Sequence, residues 1–239
     1  DYDSVGLSVV GGMPVFYTPY LYYREDSSQD DIYQVWNPAN LPRRTPRPVE
    51  VVTSLADDGP GSLSNAIRSG ERISFAANLS GGTINLTSGP LKLYVFRLDL
   101  VIDAANLTKG ITISGGNPSR SAPGGNSRVF EIYAGDSQGK TAVFLDGLTI
   151  ANGKDWSSGE RNFGGGILNR GNLVLKNCTI RDNEAQNGGG LANFGTAILV
   201  NCTIANNVSP AGTGAGIKNT GKLTLRHCTV ARNTGPAFF

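Results

Sequence analysis

The sequence predicts an all-β solenoid, a parallel β-helix whose three-strand rungs take about 24 residues each, and three observations predict it. The first is a repeated strand: Leu175-Lys-Asn-Cys178-Thr-Ile180 returns as Leu199-Val-Asn-Cys202-Thr-Ile204 and as Leu225-Arg-His-Cys228-Thr-Val230, with cysteine spacings of 24 and 26 residues. The second is a glycine block ahead of each strand. Gly164-Gly-Gly166-Ile-Leu-Asn169, Gly188-Gly-Gly190-Leu-Ala-Asn193 and Gly214-Ala-Gly216-Ile-Lys-Asn219 repeat at the same spacings. The third is composition: 32 glycines in 239 residues, with 17% charged residues, make a chain rich in turns and poor in charge. Glycine has no period of three, which excludes collagen. Regular Val, Leu and Ile exclude a disordered chain.

Taken in chain order, residues 1–48 differ from the rest. Phe16, Tyr17, Tyr20, Tyr22, Tyr23, Tyr33 and Trp36 cluster there with Pro14, Pro19, Pro38, Pro42, Pro46 and Pro48, and no repeat is visible. The expected form is an extended arm that either packs along the solenoid or docks on another chain. Aromatic side chains at this density expose much apolar surface unless covered. Phe16, Tyr20, Tyr22, Tyr23 and Trp36 are therefore the candidate partner-binding residues.

Residues 49–239 are read as the solenoid, irregular over 72–150 and regular over 151–239. One short helix is expected at Ser62 to Ser69, with Ser62 as N-cap, Leu63, Ala66 and Ile67 as the apolar face and Gly70 as the stop. It precedes the first rung, where a solenoid must cover its end. Irregular strands are expected at Ile73 to Phe75, Thr83 to Leu86, Leu98 to Ile102, Ile111 to Ile113, Val129 to Ile132 and Ala142 to Leu145. Long insertions at Gly115 to Ser127 and Gly153 to Phe163 project from the stack.

In the regular rungs, period-2 alternation places Leu173, Leu175, Cys178 and Ile180 inside, together with Ile198, Cys202 and Ile204, and Leu223, Leu225, Cys228 and Val230. A fainter unit, Leu145-Asp-Gly-Leu148-Thr-Ile150, puts Leu148 where later units carry cysteine. Gly235-Pro-Ala-Phe-Phe239 follows the last strand without a polar cap. The expectation is that further sequence or another molecule covers that end, making it a second candidate contact for a protein partner.

The run Val51-Val-Thr-Ser-Leu-Ala-Asp-Asp-Gly-Pro-Gly-Ser-Leu-Ser-Asn-Ala-Ile67, followed by Ile73-Ser-Phe75 and Gly82-Thr-Ile-Asn-Leu86, resembles the opening of bacterial exported proteins built on a right-handed parallel β-helix. The glycine blocks and the Asn-Cys-Thr-Ile steps are similar to the repeats of those proteins and of the chlamydial polymorphic outer-membrane proteins. The fold also resembles that of pectin-lyase-like enzymes. The resemblance covers about residues 49–235. It implies export, a location that is extracellular, periplasmic or at the cell surface with any signal peptide already removed, and a non-enzymatic role as adhesin, scaffold or accessory subunit of an extracellular assembly. A polysaccharide lyase or glycoside hydrolase of the same fold is the alternative, with carbohydrate as the ligand.

The residues restrict chemistry. One His and three Cys cannot build a His-based zinc site, and no stretch is long and apolar enough for a membrane-spanning helix. A net charge of +2 gives no reason to expect nucleic acid. No cofactor, metal or catalytic residue is assigned.

Cys178, Cys202 and Cys228 are expected as a buried core ladder, with a disulfide or a metal as the sharper alternatives. Asn169, Asn193 and Asn219 form one structural ladder; Asn183, Asn207 and Asn233 form another. The carboxylates worth weighing for catalysis are Asp155, Glu160 and Asp182, near Arg161 and Arg181, with Asp146 at another corner. Thr179, Thr203 and Thr229 make an outward column, but three rungs in a single column are too few for an ice-binding array. His227 is expected at the surface, and the sequons at Asn78, Asn85, Asn106, Asn177, Asn201 and Asn207 follow from composition.

Overall fold

The structure, a computed structural model, describes residues 7–10, 13–16, 49–95, 99–116, 127–134, 141–155, 162–210 and 212–235. The chain divides into two compact units, Asp1–Pro46 and Arg47–Phe239. In the first, Leu7–Val10 and Met13–Phe16 pair antiparallel. The segment expected to be an extended arm thus contains a β-hairpin. Its sequence signal is Gly11-Gly12 between two apolar runs. Phe16 ends the second strand, while Tyr20, Tyr22, Tyr23 and Trp36 lie outside the described residues.

The second unit begins with a strand, Glu50–Val52, and the helix Leu63–Ser69. Ser62 caps that helix: its Oγ accepts from the Asn65 amide at 3.1 Å and donates to the Gly59 carbonyl at 2.8 Å. Leu63 and Ala66 are buried in the core, and the Gly70 amide closes the last turn on the Ala66 carbonyl at 2.8 Å. One Asp57 carboxylate oxygen accepts from the amide and hydroxyl of Thr87 (3.0 and 2.9 Å) and of Ser88 (2.7 and 2.6 Å). Partial burial raises the Asp57 pKa, but these four bonds outweigh it and hold the carboxyl below its ordinary range. The run from Val51 to Ile67 is therefore a cap sewn onto the first coil.

Below the cap, three parallel sheets run along the stack. The seven-stranded sheet orders Glu50–Val52, Arg72–Phe75, Leu100–Asp103, Val143–Asp146, Asn172–Lys176, Thr196–Val200 and Lys222–Arg226. The six-stranded sheet orders Thr83–Asn85, Ile111–Ser114, Leu148–Ala151, Thr179–Arg181, Thr203–Ala205 and Thr229–Ala231. Leu91–Val95, Phe130–Ala134, Ile167–Asn169, Leu191–Asn193 and Ile217–Asn219 form the third. A short pair, Lys154–Asp155 with Glu184–Ala185, sits between the second and third sheets in chain order.

The repeats do not reveal Glu50–Val52 or Leu91–Val95, because the coils that hold them are too unlike one another to align; the short pair is two residues long and carries no alternation to mark it.

Register stacks like residues. Ile84, Ile113, Ile150, Ile180 and Ile204 form one interior column, all 0% exposed. Burying each is worth about 1.5–3 kcal/mol. Leu173, Leu175, Cys178, Ile180, Cys202 and Ile204 are buried as expected.

Ile198 is not among them: Ala197 and Leu199 point inward at 0% exposure, in register with Leu173 and Leu175. The run Ala197–Val200 is apolar throughout and carries no alternation, so pairing alone decides its facing. Leu223, Leu225 and Val230 continue the interior columns by register, yet Leu225 is 42% and Val230 50% exposed, because no described coil packs on their far side.

Candidate functional site

Turns fix how the side chains are presented. The turn into the six-stranded sheet is made by Gly147, Asn177, Asn201 and His227, with φ of 72°, 52°, 53° and 51°. The next turn places Asn152, Asp182, Asn206 and Arg232 at φ of 55°, 58°, 56° and 55°. Asparagine tolerates this left-handed region better than most residues, and His227 simply occupies the asparagine position at the surface.

The left-handed asparagines are not the buried ones. Asn169 Nδ2 donates to Asn193 Oδ1 and Asn193 Nδ2 to Asn219 Oδ1, each at 2.7 Å. Asn183 Nδ2 donates to Asn207 Oδ1 at 3.0 Å and Asn207 Nδ2 to Asn233 Oδ1 at 2.9 Å. Asn183 and Asn207 also donate to the Ile150 and Ile180 carbonyls, each at 3.0 Å. The glycine blocks make room for this second ladder: a Cβ on Gly190 would lie 2.6 Å from the Gly216 carbonyl oxygen and 3.0 Å from the Asn207 amide. Asn207 is 0% exposed, so that sequon is closed to modification in the folded chain.

The weighed carboxylates are held by separate cations. Asp182 pairs with Arg181 at 2.5 Å, and Asp146 pairs with Lys176 at 3.5 Å while accepting from Asn177 at 2.9 Å. Asp155 pairs with a residue the repeats do not highlight, Arg128, which is 7% exposed. Arg128 also pairs with Glu131 and donates through Nε to the Gly164 carbonyl at 2.8 Å and through Nη2 to the Phe163 carbonyl at 2.7 Å. Lys154 pairs with Glu184 at 3.0 Å beside it.

Register puts Asp155 opposite Ala185 and Asp182 in another column, so the structure does not bring them together. Glu160 and Arg161 lie outside the described residues. The Arg128 cluster locks the two insertions' roots to each other, since charges this buried persist only when paired.

The outward face of the third sheet carries a second constellation. Tyr94 and Tyr133 are direct neighbours in register and stack with ring centroids 5.1 Å apart at 10°. Arg170 and Phe194 follow the adjacent pairs Asn169 and Asn193, which extends the same column by two coils. The Arg170 guanidinium lies 5.2 Å from the Phe194 ring centre, and Phe163 meets that ring edge-on at 5.1 Å. Tyr94 is 57% exposed. These residues stand at unequal separations in the sequence, so only register brings them into line.

The threonine column is longer than the repeats suggest. Thr83, Thr112, Thr149, Thr179, Thr203 and Thr229 stand in register on all six strands. The column two residues on holds Asn85, Ser114, Ala151, Arg181, Ala205 and Ala231, with Ser114 and Ala151 buried, so the paired threonines of an ice-binding face are not present.

Cys178 and Cys202 are buried, Cys228 is half-buried, and all three are free thiols. Among the described residues no group of three or more His, Cys, Asp or Glu side chains is placed to hold a metal, and no helix is long and apolar enough to cross a membrane.

No curated protein and no solved structure matches the chain. Residues 124–239 match the family model described as a right handed beta helix region. With three parallel sheets stacked coil on coil and that match over its regular half, the second unit is a right-handed parallel β-helix.

Proposed function

We propose that this chain is a non-enzymatic, exported β-helix of the bacterial surface type, similar to the chlamydial polymorphic proteins, and that it acts as an adhesin. The observation that carries this reading is the outward column Tyr94, Tyr133, Arg170 and Phe194. Aromatic and arginine side chains are the residue types that anchor protein and carbohydrate contacts, and a rigid sheet holds these four in line at one per coil. The aromatic residues of the N-terminal unit provide a second attachment to a partner, and deletion of residues 1–48 is expected to release it.

The test is retention of surfaces coated with the purified chain on immobilised cell-wall glycans and host-type extracellular proteins. Adhesion is expected to fall about tenfold in Tyr94→Ala combined with Arg170→Ala, with the fold intact. Unchanged adhesion sinks the reading. The paired carboxylates Glu131 and Asp155 around Arg128 favour the alternative, a polysaccharide-cleaving enzyme. Turnover of pectin or alginate into unsaturated or reducing ends, abolished by Asp155→Asn, would replace adhesion as the function.

A further inference from the structure

Three thiols occupy one interior column. Cys178, Cys202 and Cys228 each directly precede a residue of the in-register set Thr179, Thr203 and Thr229, and so stack coil on coil beneath Leu148. Each Sγ donates to a carbonyl of the preceding coil: Cys178 to Leu145 at 3.4 Å, Cys202 to Leu175 at 3.6 Å and Cys228 to Leu199 at 3.4 Å. The three side chains therefore share one direction.

Adjacent parallel strands lie about 4.8 Å apart. Side chains that point the same way at that spacing do not form a disulfide, which needs sulfurs about 2.0 Å apart. The spacing suits a different bond. A metal–thiolate bond is about 2.3 Å long, so one ion on a straight line between two thiolates spans about 4.6 Å.

We propose that the cysteine column is a binding site for a soft, two-coordinate d10 cation, held linearly between two neighbouring thiols, Cys202 and either Cys178 or Cys228. Thiolate sulfur selects soft ions. The described residues offer no third or fourth ligand, which rules out the tetrahedral geometry that zinc requires. Cys202 stands between the other two thiols and so belongs to both neighbouring pairs, Cys178 with Cys202 and Cys202 with Cys228. With Hg(II) the exchange balances as one ion in and two thiol protons out, each S–H bond replaced by an S–Hg bond. The product is a neutral bis-thiolate, the form an apolar interior accepts without an uncompensated charge.

The experiment is a titration of the native full chain with Hg(II), and separately with Zn(II), following sulfur-to-metal charge-transfer absorption and proton release at fixed pH. The expected result is one Hg(II) and two protons per chain, with Zn(II) not retained. Cys202→Ala is expected to abolish the absorption, while Cys178→Ala and Cys228→Ala each keep it, because each leaves one neighbouring pair. The double variant Cys178→Ala with Cys228→Ala leaves Cys202 without a neighbouring thiol and is likewise expected to abolish the absorption, which keeps the test decisive if Cys202→Ala does not fold. Retention of the signal by Cys202→Ala or by the double variant, three independent Hg(II) ions per chain, tight Zn(II) binding, or reaction only in denaturant would each overturn the proposal.

Discussion

The irregular coils from Arg72 to Asp146 and the regular coils from Asn172 to Ala231 share one backbone plan but fill the same interior columns with different chemistry. In the third sheet, one column runs Leu93, Ile132, Asn169, Asn193, Asn219. In the second sheet, Ile111 and Leu148 give way to the cysteine positions. The irregular coils are held by apolar volume, which tolerates variation as long as the space is filled. The regular coils are held by amides that need an identical amide one coil away, and this makes their sequence repeat strict. A buried polar network must be complete, and completeness here means periodicity.

Stability measurements break the comparison most sharply where one column changes character. Asn193→Leu is expected to cost about 4 kcal/mol, because it takes the ladder acceptor from Asn169 Nδ2 and the side-chain donor from Asn219 Oδ1 and from the Gly195 and Lys222 carbonyls. Chemical denaturation would read this, and a loss under about 1 kcal/mol would show that the ladder is ornamental. In the apolar stretch of that column, Ile132→Ala should cost about 3 kcal/mol as a plain cavity, with no effect beyond its own coil in hydrogen exchange. Gly190→Ala, which forces a methyl against the Gly216 carbonyl and Asn207, should cost about 2 kcal/mol and loosen exchange at the second ladder. The smallest effect belongs to the turns: Asn201→Ala at φ 53° should lose about 1 kcal/mol, and Asn201→Gly should be close to neutral.

The same contrast explains how much the sequence shows. Where amides and thiols recur, the strands and the interior positions can be read directly, since the physics demands identity at a fixed spacing; the cap helix is legible for a different reason, Ser62 as its N-cap and Gly70 as its stop. Ile198 is a failure inside that region, because an apolar run gives no facing and only its pairing with Val174 settles it. In the irregular coils, apolar filling leaves no strict signature, so Leu91–Val95 passes unmarked. The Tyr94, Tyr133, Arg170 and Phe194 column is invisible for the same reason. Its members belong to coils of unequal length, and their alignment is a property of register. Arg128 is harder still: it follows an insertion, and its partners come from Glu131 and from Asp155 on the next coil.

The asparagine ladder has a consequence for how such a chain can lengthen. Each rung of it offers one amide forward and accepts one from behind, so a coil is an interchangeable part with matching ends. An in-frame copy of the 24 residues from Asn172 to Gly195 would slot between its neighbours and leave no donor or acceptor orphaned. The irregular coils have no such matching ends, so tandem duplication of the gene can extend this molecule from its regular half and not from its capped one.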